Sequence, residues 1–277
     1  MKSMLVGRPS FSDWATAIDK VASRSGGQIH VREFDDVEEV QSYARRFRMQ
    51  GVIPMTYPQM KMVSPHRDRF QSFGAKVVCS DSYDLVQTFD DKVRFIHFME
   101  EQDLMHLLPD VYVVSHNGQR TDYAEIQYPC IFKLAVTFGG TGSNVHLTAS
   151  KPVELDKVAR GTSYIVQQYI PGNVEYGGHI YVEGGSIRKQ LYYRGARDAS
   201  VHVQRGRMPK FDRFEELDEA AELESMFGAI NYTGFACVDF KVSDQGMKIF
   251  EVNPRLGGTL IHNEPDLLSF FDAALSD

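Results

Sequence analysis

Gly234-Phe235-Ala236-Cys237-Val238-Asp239-Phe240-Lys241 and, a short gap later, Lys248-Ile249-Phe250-Glu251-Val252-Asn253-Pro254-Arg255 decide how this chain is read. Both stretches are apolar enough to be strands, yet both carry acidic or amide side chains at chosen positions. On paired antiparallel strands Asp239 and Glu251 point to one face, and the period of two adds Asn253 to that face. Two carboxylates and an amide are hard oxygen donors. They suit Mg²⁺, with Mn²⁺ as a substitute, because such an ion takes few protein ligands and shares the rest with water and substrate phosphates. A solvated sheet face is the competing reading. Against it, Glu251 and Asn253 lie among Ile249, Phe250, Val252 and Pro254, where acidic groups are seldom left unpartnered.

Upstream, the apolar run from Pro129 to Val136 contains Lys133 and leads into Gly139-Gly140-Thr141-Gly142-Ser143. A P-loop needs Lys and then Ser or Thr after its last glycine, and here Ser143 and Asn144 follow Gly142. The dinucleotide fingerprint needs a glycine at position 145, which is Val. Neither motif is present. A bare, flexible loop behind a strand lysine can still close its backbone N–H groups over phosphate oxygens, while a tight hairpin turn is the plain alternative.

Around these motifs the chain has ordinary globular composition, with 43% hydrophobic and 24% charged residues in 277. A formal net charge of -7 argues against nucleic acid as the main partner. Cys79, Cys130 and Cys237 form no CxxC pair, so a disulfide framework and a cysteine zinc site are both unsupported, and a reducing cytoplasm is the expected location. The apolar start, Met4 to Val6, is too short for a signal-peptide core, and no run approaches a membrane span.

Short apolar runs at Met4 to Val6, Ile29 to Phe34, Val52 to Met55 and Lys76 to Cys79 alternate with longer mixed segments, which predicts βα units around a parallel sheet. Trp14, Ile18 and Val21 share one helical face; so do Val40, Tyr43, Ala44 and Phe47. A helix begins near Asp90, with Val93, Ile96, Phe98 and Met99 at helical spacing, and Leu108-Pro109 ends it. Strands then follow at Val111 to Val114, Pro129 to Val136, Tyr164 to Ile170, Gly178 to Val182, Ile187 to Tyr193, Gly234 to Val242 and Met247 to Val252, with a charged helix from about Arg213 to Phe227. Hairpin-like succession makes this half α+β, beside an α/β first part.

Taken in order, these residues resemble the ATP-grasp superfamily over roughly residues 85 to 265. Asp91-Lys92 resembles the family's first lysine, which reaches the phosphates of ATP, and Tyr128-Pro129 to Lys133 resembles the lead-in to the second. Gly139, Gly140, Thr141, Gly142 and Ser143 correspond to the mobile lid. Val166 to Gly172 resembles the segment joining the two lobes, whose backbone recognises adenine; Gln168 stands where many members have Glu, with Tyr169 and Ile170 after it. Glu175 matches the position that bonds the ribose hydroxyls. Asp239, Glu251 and Asn253 match the family's metal ligands, and Arg255 the arginine directed at the reacting carboxylate or phosphate.

The resemblance implies an ATP-grasp fold at residues 90–277, with a lid subdomain at about 110–170, behind a Rossmann-like βα domain at 1–89. It implies ATP and Mg²⁺ as cofactors and a small carboxylate and an amine as substrates. The carboxylate, an amino acid being one candidate, is activated as an acyl phosphate. A kinase or a non-catalytic nucleotide-binding subunit is the alternative, though retention of Lys92, Lys133 and the metal ligands speaks against the latter. No membrane partner is expected, and a homodimer is admitted.

Among the remaining basic residues, Arg188 and Arg194 alternate onto one face, and Lys189 and Arg197 onto the other. Arg194 is named as a catalytic candidate, against the plain reading of a charged sheet edge. His97, His106, His146, His179, His202 and His262 show no HExxH spacing, so a zinc site is not expected. His262, just past the metal motif, is a candidate substrate contact.

Overall fold

Four short apolar runs form the first sheet of the computed structural model, which describes residues 2–116, 125–136, 145–148, 161–196 and 211–276. Strands β1 (Met4–Gly7), β2 (Ile29–Arg32), β3 (Gly51–Ile53) and β4 (Lys76–Val77) are parallel in the order β2-β1-β3-β4. Helices α1 (Ser12–Arg24), α2 (Val37–Arg46), α3 (Tyr57–Val63) and α4 (Arg67–Gln71) connect them. Met4, Leu5 and Val6 are fully buried, as expected of a central parallel strand covered on both faces. Ile18 and Val21 of α1 and Val40 and Ala44 of α2 turn inward, whereas Phe47 lies past the end of α2 and is exposed, stacking on Tyr43 at 4.4 Å. The apolar spacing of α2 therefore overshoots its core face by one turn.

The helix expected to begin near Asp90 is preceded by a separate one, and Asp91 stands between the two. α5 (Tyr83–Asp90) ends there and α6 (Lys92–Glu101) begins, with Asp91 Oδ1 accepting from the N–H groups of Val93 at 2.9 Å and Arg94 at 3.2 Å. Such a cap satisfies donors that the first helical turn cannot.

Strands β5 (Val111–Ser115), β6 (Cys130–Leu134), β7 (Val145–Thr148) and β8 (Tyr164–Gln168) form a small antiparallel sheet ordered β5-β8-β6-β7. A larger one, ordered β11-β10-β9-β12-β13, comprises β9 (Val174–Glu183), β10 (Ser186–Ala196), β11 (Phe211–Phe214), β12 (Gly234–Ser243) and β13 (Gly246–Asn253). β11 corrects the expected helix from Arg213; only α7 (Ala220–Ala229) is helical. Period-two alternation overrides composition here, since Phe214 stacks on Tyr192 on one face while Arg213 reaches Asp266 on the other.

The large sheet buries both faces. Ile180, Val182, Tyr192, Ala236 and Val238 pack with Ile96 and Met99 of α6 and with Met226 and Phe227 of α7. Tyr181, Leu191, Tyr193 and Phe235 pack with Ile18 and Val21 of α1 and with Phe270 and Phe271 of α8 (Glu264–Leu275). α8 also closes on the first sheet so tightly that a Cβ on Gly51 would stand 2.4 Å from Leu275 Cδ2. Among the described residues no helix is long and apolar enough to cross a membrane.

Candidate active site

β12 and β13 pair so that Asp239 faces Glu251 and Cys237 faces Asn253, which brings the three oxygen-bearing side chains onto one face. Gly177 of β9 lies across from Asp239, and a Cβ there would be 3.7 Å from Asp239 Oδ1, so glycine leaves lateral room beside the carboxylate. Along the same face come His179 and Cys237, then Tyr181 and Phe235 beneath α8. The site is thus the polar end of a face whose other end is core.

A bulge shapes that end. The register steps from Asp239–Glu251 to Phe240–Ile249, leaving Phe250 as the extra residue. Its carbonyl accepts from Lys133 Nζ at 3.3 Å, and its ring centre lies 5.2 Å from that ammonium. Lys133 comes from β6, and Lys92 heads α6, where its N–H donates to Ala135 O at 2.9 Å and its Nζ to Glu251 Oε1 at 3.2 Å. Both lysines are buried. Separate elements therefore deliver Lys92, Lys133, Asp239, Glu251 and Asn253 to one spot.

The charges are unevenly settled. Burial pushes the Asp239 carboxyl up to about 7, reinforced by Glu251 and Glu175 and opposed by Arg255 and Lys133. For Glu251 burial also acts upward, but Lys92, Lys133 and Arg255 outweigh it and hold the carboxyl below its ordinary value. Burial pulls the Lys133 ammonium down to about 8, helped by Lys92 and opposed by Glu251, Glu175 and Asp239. A divalent cation beside Asp239 would relieve the strongest of these conflicts, so the donor set fits one. Among the described residues no three His, Cys, Asp or Glu side chains are placed to hold a metal ion together. Two carboxylates and an amide remain, a set that suits Mg²⁺ sharing its shell with phosphates better than a closed structural site.

Next to the lysines is a mainly apolar slot. Phe95 and Ile96 of α6, Leu108 and Val111, Ile165 and Gln167 of β8, and Ile249 and Phe250 of β13 line it together with Lys92. Gln167 is buried and its Oε1 accepts no hydrogen bond. Such an orphaned acceptor offers a partner to a ligand N–H. Gln168 faces away: its Oε1 accepts from Asp110 N–H at 3.4 Å, while its own N–H donates to Asp110 O at 2.8 Å. Tyr169 and Ile170 continue from the slot, and Glu175 shares the face of Gly177 and Asp239.

Other predicted residues fall differently. Arg255 folds over Tyr57, with Cζ 5.9 Å from the ring centre, and its Nη2 donates to Asn253 Oδ1 at 3.4 Å. Arg194 is not brought to the site: it stands opposite Tyr176, so alternation turns it to the other face from Gly177 and Asp239, where it pairs with Asp212 at 3.4 Å. Gly139, Gly140, Thr141, Gly142 and Ser143, with Arg197 and His202, lie outside the described residues, as does the side chain of His262.

Sequence reasoning misses Tyr57, whose hydroxyl donates to Asn253 Oδ1 at 3.4 Å, and passes over Gln167 for its neighbour. It also treats His179 as one histidine among several. That ring is fully buried on the face that carries Asp239, accepting at Nδ1 from Gly257 N–H at 3.2 Å and bonding Thr259 Oγ1 through Nε2 at 2.6 Å.

Comparison with known proteins is consistent with this geometry. The profile of the ATP-grasp domain matches residues 89–259. A curated relative, the arginine-specific carbamoyl phosphate synthase large chain of Geobacillus stearothermophilus, is 22% identical over 187 residues, or 65% of this chain. The chain spans only 17% of that relative's length. Among solved structures, the D-alanine–D-alanine ligase of Bacillus anthracis complexed with ATP superposes with a TM-score of 0.64 at 13% identity, covering 99% of this chain and 94% of that one. Phosphoribosylamine–glycine ligase of Thermotoga maritima gives 0.69 at 13% identity, covering 99% and 75%. At such identities the likeness is one of fold.

Proposed function

The chain belongs to the ATP-grasp family, and from that premise we propose that it is an ATP- and Mg²⁺-dependent ligase joining a small carboxylate to an amine. The observation that carries the reading is the meeting of Lys92 and Lys133 with Asp239, Glu251 and Asn253 beside a slot that holds an orphaned acceptor, Gln167 Oε1. Asp239, Glu251 and Asn253 would hold the metal, and the slot the base. Bound there, ATP and Mg²⁺ supply the phosphoryl group and the charge neutralisation that in-line transfer needs.

The chain's own part is positioning and electrostatics. Lys92 and Lys133 offset phosphate charge in an acidic protein, in a buried setting where each cation acts strongly. Arg255, planar and next to Asn253, is suited to hold the substrate carboxylate by two oxygens at once. The proposed product of activation is an acyl phosphate, which the amine attacks. Fold alone names neither substrate.

A panel of small acids, including amino acids, with and without amines, tests this by following ADP, phosphate and product mass. Phosphate release that requires both partners is expected; a stable phosphoester would reassign the chain to the kinases. Lys133 offers a further test. With its ammonium near 8 in the free protein, nucleotide binding above that pH must take up a proton. ATP affinity is therefore expected to fall above about pH 8, by up to about tenfold per pH unit, and Lys133→Met to bind more weakly with little slope. Calorimetry at pH 7.5 and 9.5 reads the difference, and a flat wild-type profile would remove Lys133 from the phosphate site.

A further inference from the structure

The chain enters the small sheet from α6 at residues 105–110 and leaves it for β9 of the large sheet at 169–173, and one lysine of the large sheet is tied to each crossing. Lys241 of β12 and Lys248 of β13 stand directly opposite one another, and both are buried. Lys248 Nζ donates to His106 O at 2.7 Å. Lys241 Nζ donates to Ile170 O at 2.8 Å and Gly172 O at 2.9 Å, and lies 5.5 Å from the Tyr169 ring centre. The crossings are also joined to each other through Asp110 and Gln168. Like charges set opposite on paired strands repel, and a buried ammonium must satisfy its donors. Main-chain carbonyls of the two crossings meet that need here.

We propose that Lys241 and Lys248 are positioning residues of the nucleotide site, fixing both hinges of the small sheet and with them the height of the slot walls above its floor. Lys248 immediately precedes the floor residues Ile249 and Phe250, and its tie is two residues from the wall residue Leu108. The ties of Lys241 lie just past Gln167 on the opposite wall. Replacing a lysine by an apolar chain removes the donor from these carbonyls, that of Ile170 being buried, and frees the crossing to shift. The inference rests on reading the slot as the base site.

The test compares wild type with Lys241→Met, Lys241→Arg and Lys248→Met for binding of Mg²⁺-ATP and of inorganic tripolyphosphate, together with amide exchange at residues 168–173. Lys241→Met is expected to weaken ATP about tenfold, to leave tripolyphosphate unchanged and to speed exchange at the hinge; Lys241→Arg restores both. Equal weakening of ATP and tripolyphosphate, or unchanged exchange, overturns the proposal. If Lys241→Met does not fold, Lys248→Met carries the same expectations at residues 105–110. Wild type that binds tripolyphosphate but not ATP overturns the base reading itself, and hinge anchoring then stands or falls on exchange alone.

Discussion

Glu251→Gln is expected to lower Mg²⁺-dependent turnover about a thousandfold while leaving the chain folded. Glu251 is the carboxylate that its surroundings keep ionised: Lys92 Nζ is 3.2 Å away, and Lys92, Lys133 and Arg255 together outweigh the effect of burial. Removing its charge deletes an anionic metal donor and, with it, the partner that aims Lys92. Stability moves less, because two effects oppose: Lys92 loses an ion pair, but Asp239 loses the like charge facing it. The net shift should be about 1 kcal/mol or less. A second readout separates loss of charge from general damage. Glu251 is one cause of the rise of Asp239 to about 7, so in the metal-free variant the Asp239 carboxyl should titrate lower. Unchanged turnover would refute Glu251 as a metal ligand; lost turnover with Asp239 still near 7 would show that the two carboxylates do not share a site.

How much of this site is legible in the sequence follows from which contacts are local. Asp239, Glu251 and Asn253 are separated by strand spacing, so alternation alone predicts their shared face, and the register agrees even across the bulge at Phe250. The bulge itself carries no glycine or proline to announce it, and so neither does the Phe250 carbonyl that receives Lys133. Gln167 and Gln168 show the limit of periodicity. Ile165 and Gln167 face the slot while Tyr164 and Val166 face another core, so both faces of β8 are apolar and nothing in the pattern selects one glutamine. Arg194 fails for a related reason: alternation groups it with Arg188 but cannot say which side of the sheet holds Asp239 and Glu251, and a bulge between Ile187 and Lys189 breaks the alternation near Arg188. Lys241, Lys248 and Tyr57 act across 71, 142 and 196 residues of chain, on carbonyls and an amide that any sequence could present. Only the folded arrangement of the sheets creates those contacts.

His179 gives the second large effect, on stability. Gly257 N–H can only donate, so Nδ1 accepts and the ring proton lies on Nε2, directed at Thr259 Oγ1; the geometry requires the neutral imidazole. Burial pulls its pKa down to about 3, Asp266 opposing and Arg255 reinforcing. A depressed folded value means that the unfolded chain takes the proton first. The contribution is complete above the unfolded value of about 6.5 and is lost as pH falls toward 3, at about 1.4 kcal/mol per pH unit. By pH 5 the loss is about 2 kcal/mol. Asp239 works in the opposite direction, since its folded value near 7 exceeds the unfolded one and protonation favours the folded state as pH falls through the same window. In metal-free wild type the two slopes largely cancel, and single variants should expose them. His179→Gln, which can still accept from Gly257, is expected to gain about 2 kcal/mol relative to wild type between pH 7 and pH 5, whatever its absolute stability. Asp239→Asn should show the reverse, a chain that weakens steeply on acidification. Urea unfolding of the three proteins at both pH values measures the differences, and a pH dependence in His179→Gln parallel to that of wild type would mean that the imidazole is not held neutral. Adding Mg²⁺ sharpens the outcome: an ion on Asp239 keeps that carboxylate deprotonated, removes its compensating slope, and should make wild type with metal as acid-sensitive as metal-free Asp239→Asn.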